Sequence, residues 1–210
     1  MWRGAEAYLE MWERADGIRA PGCRPQDVGL TTAGLGPVRL RDSWESLLRR
    51  AGQPQQRTRT WTWCAVGRRN GNAADVAELS SAGRVELAGS TARGRGARGV
   101  EVASAVKRVR GVATAVGHGL FVRRAHRAVF VWTVLDGRVK AVGVATPGLA
   151  RRPHALLAAM KRVAGAHASQ AKRVFIPNAT LGSATLTGAN LVATSDPRLN
   201  HALAVLCGLH

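Results

Sequence analysis

The chain has 210 residues, of which 46% are hydrophobic and 21% charged, and its formal net charge is +18. A hydrophobic fraction of this size can bury a core, and the ordinary charged fraction argues against an intrinsically disordered chain. No apolar run approaches the roughly 20 residues of a membrane-spanning helix. No signal-peptide pattern follows Met1, which on its own predicts a cytoplasmic protein.

The positive charge comes almost entirely from arginine. A chain this basic is expected to attract polyanions such as nucleic acid, anionic lipid or acidic glycan. The abundance of Arg, Ala, Gly and Val is equally typical of a GC-rich genome, which requires no polyanionic partner. The composition therefore leaves both interpretations open.

The first half of the chain predicts one short helix followed by three strands. The helix begins at Trp44, with Asp42 or Ser43 as its N-cap, and ends before Gly52. Alternation with period two then predicts three strands, at 58–66, 74–79 and 84–90.

The second half repeats this order. A short helix over 104–110 is followed by strands at 120–124, 128–134 and 139–146. Asp136 and Gly137 separate the last two strands and predict a tight type I′ turn. A longer helix begins at Pro153, in a position that proline favours.

These patterns predict an α+β fold of two tandem repeats, each made of a helix and an antiparallel three-stranded sheet, with helical N- and C-terminal extensions. The first division is an N-terminal helix and loop at 1–33, before repeat 1 at 34–92. Repeat 2 with its following helix occupies 93–165, and a low-complexity tail and terminal helix occupy 166–210.

Three short motifs carry a resemblance to known families: Gly36-Pro37-Val38-Arg39-Leu40, a helix that ends in Ala51-Gly52-Gln53-Pro54, and Gly83-Arg84-Val85. In this order they resemble the repeat of β-lactamase-inhibitor proteins and of the small SmpA/OmlA-type outer-membrane lipoproteins, over residues 34–146. The chain also looks like a C-terminal module of secreted actinobacterial proteins. The resemblance implies an extracytoplasmic binding module, and it assigns no individual binding residue.

Two groups of side chains are candidates for binding. On one predicted strand, Trp61 and Trp63 share a face beside Arg57 and Arg59, which is a composition typical of interface hot spots and of base stacking. The alternative, which we favour, is that both indoles pack under the first helix as core, because one sheet face must be covered.

The second group lies in the link between the predicted repeats, where Arg93, Arg95 and Arg98 alternate with glycine and alanine. Exposed backbone N–H groups beside guanidinium groups can bind phosphate. The alternative is a solvated linker.

Cysteine usage bears on the compartment. Cys23, Cys64 and Cys207 form neither a CxxC motif nor a Cys/His cluster, so no structural zinc site is predicted. In an oxidising compartment Cys23 and Cys64 are the first pair to test for a disulfide, whereas Cys207 ends an apolar helix pattern and is expected to be buried.

No catalytic motif is present: the chain lacks a nucleophile elbow, a phosphate-binding loop and paired carboxylates, and His118 lies between two glycines without a partner at metal spacing. We therefore predict no enzyme activity, metal or cofactor. The predicted function is a non-catalytic binding module that acts through a sheet surface on a protein or cell-envelope partner. The alternatives are sequence-nonspecific nucleic-acid or polyanion binding, and an accessory C-terminal part of a larger secreted hydrolase. The resemblance implies an extracellular or cell-envelope location, and a true start at Met1 implies the cytoplasm.

Overall fold

A computed structural model describes residues 17–18, 23–24, 29–67 and 70–166. The helices predicted at 5–16 and 195–207 lie outside these residues, as does Cys207. Within the described residues no helix is long and apolar enough to cross a membrane.

Strands make up most of the regular structure. Thirteen strands are described: β1 Leu30–Thr31, β2 Gly34–Leu35, β3 Val38–Arg39, β4 Gln56–Arg57, β5 Thr60–Gly67, β6 Asn70–Leu79, β7 Val85–Ser90, β8 Gly96–Ala97, β9 Val100–Glu101, β10 Thr114–Gly117, β11 Leu120–Ala125, β12 Ala128–Leu135 and β13 Arg138–Ala145. Four helices accompany them: α1 Trp44–Ala51, α2 Val106–Arg110, α3 Pro147–Ala150 and α4 Pro153–Gly165.

Eight of the strands form one antiparallel sheet, in the order β10-β11-β12-β13-β7-β6-β5-β4. Strands β4 to β7 meander through the first half, and β10 to β13 meander through the second. The two meanders join where β7 pairs with β13, with Gly89 opposite Gly143. The sheet is therefore continuous across both halves of the chain.

The predicted α+β repeat of a helix and three strands is wrong. Of the residues that the structure describes, 46% lie in strands and only 22% in helices, and each half contributes four strands to a shared sheet. The missed strands β4 and β10 are two and four residues long. Segments this short do not show the alternation by which a strand is recognised, and an edge strand has no second neighbour to impose it.

Several local predictions are confirmed. The Oγ of Ser43 accepts a hydrogen bond from the backbone N–H of Ser46 at 3.3 Å, and Gly52 follows α1 with φ of 76°. The φ angles of Asp136 and Gly137 are 51° and 70°, which are the positive values that a type I′ turn requires. Short-range chemistry thus decides caps and turns here.

One face of the sheet is covered by α1, α2 and two small sheets, β1-β2-β3 and β8-β9. In both halves the segment that precedes the helix is joined to the large sheet by the same backbone hydrogen bond. Arg41 N–H donates to Val85 O, and Ala103 N–H donates to Val139 O, each at 2.8 Å. Arg41 and Ala103 both have positive φ, 69° and 74°, so the backbone follows the same course twice.

The opposite face is covered by α3 and α4, which bury Leu149, Leu156, Met160 and Val163 against the sheet. Two ion pairs flank this contact. The Nη2 of Arg152 lies 2.7 Å from Oε1 of Glu86, and the Nη2 of Arg162 lies 2.8 Å from Oε2 of Glu78. The hydrogen bonds that Arg162 donates to the Glu78 carboxylate raise the pKa of Arg162.

Candidate binding groove

The two tryptophans predicted to share a strand face lie in the core. Trp61 is 8% exposed and Trp63 is 1% exposed, and they belong to the same apolar cluster as Leu47 and Leu48 of α1. The Nε1 of Trp63 donates to the carbonyl of Gly52 at 3.1 Å, so its one polar atom is satisfied internally. The indoles act as the core beneath α1 and are not a contact surface.

The arginines beside these tryptophans lie nearer the surface. The guanidinium carbon of Arg57 is 5.5 Å from the ring centre of Trp61, a cation–π distance. Arg59 is exposed and lines a shallow cavity together with Glu78 and Arg162. Both arginines border the packed core, and the rings that would complete a stacking surface are covered.

The basic link between the halves is partly structural. Arg95 is fully buried, and its Nε and Nη2 donate to the two carboxylate oxygens of Asp75 at 3.3 and 3.2 Å. The Nη1 of Arg24 lies 4.0 Å from the same carboxylate. In contrast, Arg93 and Arg98 are exposed. The expected phosphate-binding run is therefore broken at its centre, where Arg95 neutralises a buried acid.

Cys23 and Cys64 form a disulfide with a Cα–Cα distance of 4.4 Å. They are the pair expected in an oxidising compartment. The residue after Cys23 pairs with β5, since Arg24 N–H donates to Cys64 O at 2.8 Å and Val66 N–H donates to Arg24 O at 2.9 Å. The disulfide thus ties this segment to the β4–β5 side of the sheet.

A groove of about 250 Å³ opens at the β10 end of the sheet, far from the disulfide, between the β10–β11 hairpin and the start of α4. Its floor is apolar and consists of Leu120, Val122, Val129 and Leu156. The register Leu120–Thr133, Val122–Val131 and Arg124–Val129 places alternate side chains of β11 on this face. At the mouth Val116 is 48% exposed, although it is aliphatic.

The rim of this groove is basic. His118, Arg124 and His154 line it, and no carboxylate does. His118 has φ of 50° and precedes Gly119 with φ of 71°, in the two-residue turn that joins β10 to β11. Within the described residues Arg124 makes no ion pair, unlike Arg152 and Arg162. We call this site, with its apolar floor and this rim, the basic groove.

No sequence motif predicts the basic groove. His118 has the pattern of an isolated loop histidine, and neither Arg124 nor His154 belongs to a motif. Strand alternation in β11 was a usable signal for Leu120, Val122 and Arg124 on one face. The approach of α4 to this face depends on tertiary packing, and no local pattern encodes it.

Formal charge is concentrated in the half that contains the basic groove. Residues 93–166 hold fifteen Lys and Arg against two acids, Glu101 and Asp136, which makes a net charge of +13. Residues 34–92 hold nine Arg against five acids, or +4. The second half therefore carries the stronger positive field of the two.

Among the described residues no group of three or more His, Cys, Asp and Glu side chains is arranged to hold a metal ion. The basic groove combines apolar contact area with the hydrogen-bond donors of His118, Arg124 and His154. Comparisons with protein families, with curated proteins and with solved structures found no match to this chain.

Proposed function

We propose that this protein is a non-catalytic binding module that engages a secreted or cell-envelope protein through the basic groove. One observation carries the proposal: an apolar floor, an exposed Val116 and a rim of His118, Arg124 and His154 without carboxylates meet at the edge of the sheet. Exposed apolar area rimmed by polar groups is typical of interaction sites. Arginine at such a site is among the residues that contribute most to binding energy.

The Cys23–Cys64 disulfide supports an extracytoplasmic location. Disulfides persist in oxidising environments, whereas cytosolic reductants keep most thiols reduced. The disulfide therefore favours a partner among secreted or cell-envelope proteins.

Polyanion binding is the second candidate, and the exposed cations of α2 favour it. Lys107, Arg108 and Arg110 are all exposed on this helix, in the half with net charge +13. Binding to nucleic acid through these groups would weaken steeply with salt, because neutralised phosphates release counterions. It would not require the apolar floor of the basic groove.

Site-specific photo-cross-linking tests the proposal on the full chain. A photoreactive phenylalanine analogue replaces Val116 at the groove, or Leu135 as the control. Leu135 is 58% exposed at the end of β12 and does not line the groove. Both proteins are illuminated in secreted and envelope fractions that have been treated with nuclease, and the adducts are identified by mass spectrometry.

We expect one protein adduct from position 116 that is absent from position 135 and that disappears with Arg124→Glu. Equal adducts at both positions, or none at position 116, would contradict a binding role for the basic groove. The same illumination is repeated in fractions left without nuclease; adducts that form only there, and that diminish steeply with salt, would support the polyanion alternative instead.

A further inference from the structure

The outer strand beside the basic groove is open for pairing. β10 pairs with β11, and among the described residues no strand pairs with its other side. All four of its residues are exposed, and none carries a charge. An edge strand presents unpaired backbone N–H and C=O groups, and charged residues are a common means of blocking it. β10 has no such charged residue.

The other end of the sheet is less accessible. β4 covers only two residues, and Arg24 occupies the adjoining stretch of β5 through hydrogen bonds to Cys64 and Val66. The Cys23–Cys64 disulfide fixes that arrangement. Of the two ends, β10 is the one that can accept another strand.

The basic groove lies where the side chains of an added strand would project. Successive side chains of a strand point to opposite faces, so alternate residues of a strand beside β10 would point toward the groove. Its volume of about 250 Å³ is below that of pockets for drug-sized ligands, yet it has room for apolar side chains. The exposed Val116 lies between the strand edge and this floor.

The charge around the basic groove indicates which kind of segment could pair with β10. A second copy of this chain would place another region of high positive charge against the first, which is unfavourable. An acidic segment would instead meet His118, Arg124 and His154, with no carboxylate of the groove to oppose it.

We infer that an extended acidic segment of a partner protein adds to the sheet as a strand beside β10 and places an apolar side chain in the basic groove. This inference rests on the proposed function and specifies its partner. Main-chain hydrogen bonds supply affinity in this mode of recognition, and the pockets for alternate side chains supply specificity.

The probe is a short fluorescent peptide in which Glu and Val alternate, titrated into the full chain. Three control peptides are matched to it: one with Lys in place of Glu, one of the same composition with Glu and Val in separate blocks, and one with alternate backbone amides methylated on the pairing edge. We expect the alternating Glu–Val peptide to bind at least about tenfold more tightly than each control.

Two variants localise the binding. Val116→Asp should weaken binding of the alternating Glu–Val peptide by about tenfold or more, whereas Leu135→Asp should leave the affinity for this peptide nearly unchanged. Bound peptide should also slow amide hydrogen exchange in Thr114–Gly117. Slowed exchange without sensitivity to Val116→Asp would contradict the role of the groove.

Absent binding, equal binding of the methylated peptide, or unchanged exchange in β10 would overturn strand addition. A Val116-dependent dimer in sedimentation would also overturn it, in favour of a second copy of the chain. If the cross-link at position 116 is obtained while the peptide tests fail, the binding module stands and only this mode of recognition is rejected.

Discussion

Gly89 and Gly143 face each other across the β7–β13 pair. Each lies four residues after a valine whose carbonyl accepts a backbone hydrogen bond: Val85 from Arg41 in the first half, and Val139 from Ala103 in the second. The two four-stranded meanders therefore meet around an approximate two-fold axis. Both glycines also lie under α4. A Cβ at position 89 would be 2.9 Å from Cγ1 of Val163.

Gly89→Ala is expected to destabilise the protein by about 1–3 kcal/mol, because the added methyl group would push α4 away from the sheet. Combining it with Val163→Ala should cost less than the sum of the two single changes, since the second change removes the contact with Val163 and leaves the 3.0 Å approach to the backbone oxygen of Val142. Gly165→Ala is the control, as a Cβ there meets nothing within 4 Å. Urea unfolding gives the free energies, and additive costs at positions 89 and 163 would contradict this packing.

The Asp75–Arg95 pair predicts an asymmetric cost of substitution. Asp75→Asn leaves the buried Arg95 and Arg24 without their carboxylate, and we expect a loss of roughly 3–5 kcal/mol. Arg95→Met should cost less, because Asp75 keeps Arg24 at 4.0 Å.

The Asp75→Asn/Arg95→Met double variant should be more stable than the sum of its single changes predicts, since it no longer buries the Arg95 guanidinium without a carboxylate; Arg24 still loses its carboxylate in this variant. Asp42→Asn is the control. It breaks the partly exposed pair with Arg50, and we expect it to cost under about 1 kcal/mol. Equal costs for Asp75→Asn and Asp42→Asn would show that burial does not govern these pairs.

The disulfide predicts a redox-dependent stability. Cys23 and Cys64 are 41 residues apart in sequence, and closing a loop of this length stabilises the folded state by roughly 3–4 kcal/mol. Cys23→Ser changes an exposed residue, so it should lower the free energy of unfolding by about this amount through loss of the cross-link alone. Reductant should destabilise the parent chain and leave Cys23→Ser unchanged. An unaltered unfolding midpoint of the parent in reductant would refute this prediction.

The N-cap Ser43 makes the stability of α1 depend on pH through its hydrogen bond with Glu45. The Ser43 hydroxyl, as a hydrogen-bond donor to the carboxylate, lowers the pKa of Glu45 from its ordinary value of 4.5. A lowered folded-state pKa stabilises the fold above the unfolded pKa, and this contribution is lost as the pH falls through the folded pKa. Ser43→Ala should therefore raise the pKa of Glu45 in an NMR titration, besides costing about 1 kcal/mol as a lost N-cap.

A double-mutant cycle isolates the charge. The cost of Ser43→Ala should be smaller at pH 3 than at pH 7 in the parent chain, and equal at both pH values in a Glu45→Gln background. A pH-dependent cost that persists in Glu45→Gln would assign the effect to another group.

Local patterns predicted the elements whose causes are local. The caps of α1 at Ser43 and Gly52, the Asp136–Gly137 turn and the long strands follow from side chains close together in sequence. The core interpretation of Trp61 and Trp63 also followed, because a sheet face needs cover. The prediction for Arg95 was wrong. Its neighbours in sequence resemble an exposed linker, whereas its side chain is buried and pairs with Asp75, twenty residues earlier in the chain.

The amino-acid sequence by itself determined the turns, caps, long strands and uneven charge of this protein, because each depends on near neighbours or on composition alone. Only the tertiary structure decided that both halves share one sheet, that β10 is an edge strand of this sheet as far as the chain is described, and that α4 closes a basic groove against β11. Those features depend on contacts between residues far apart in the chain, whose register and burial no local pattern specifies.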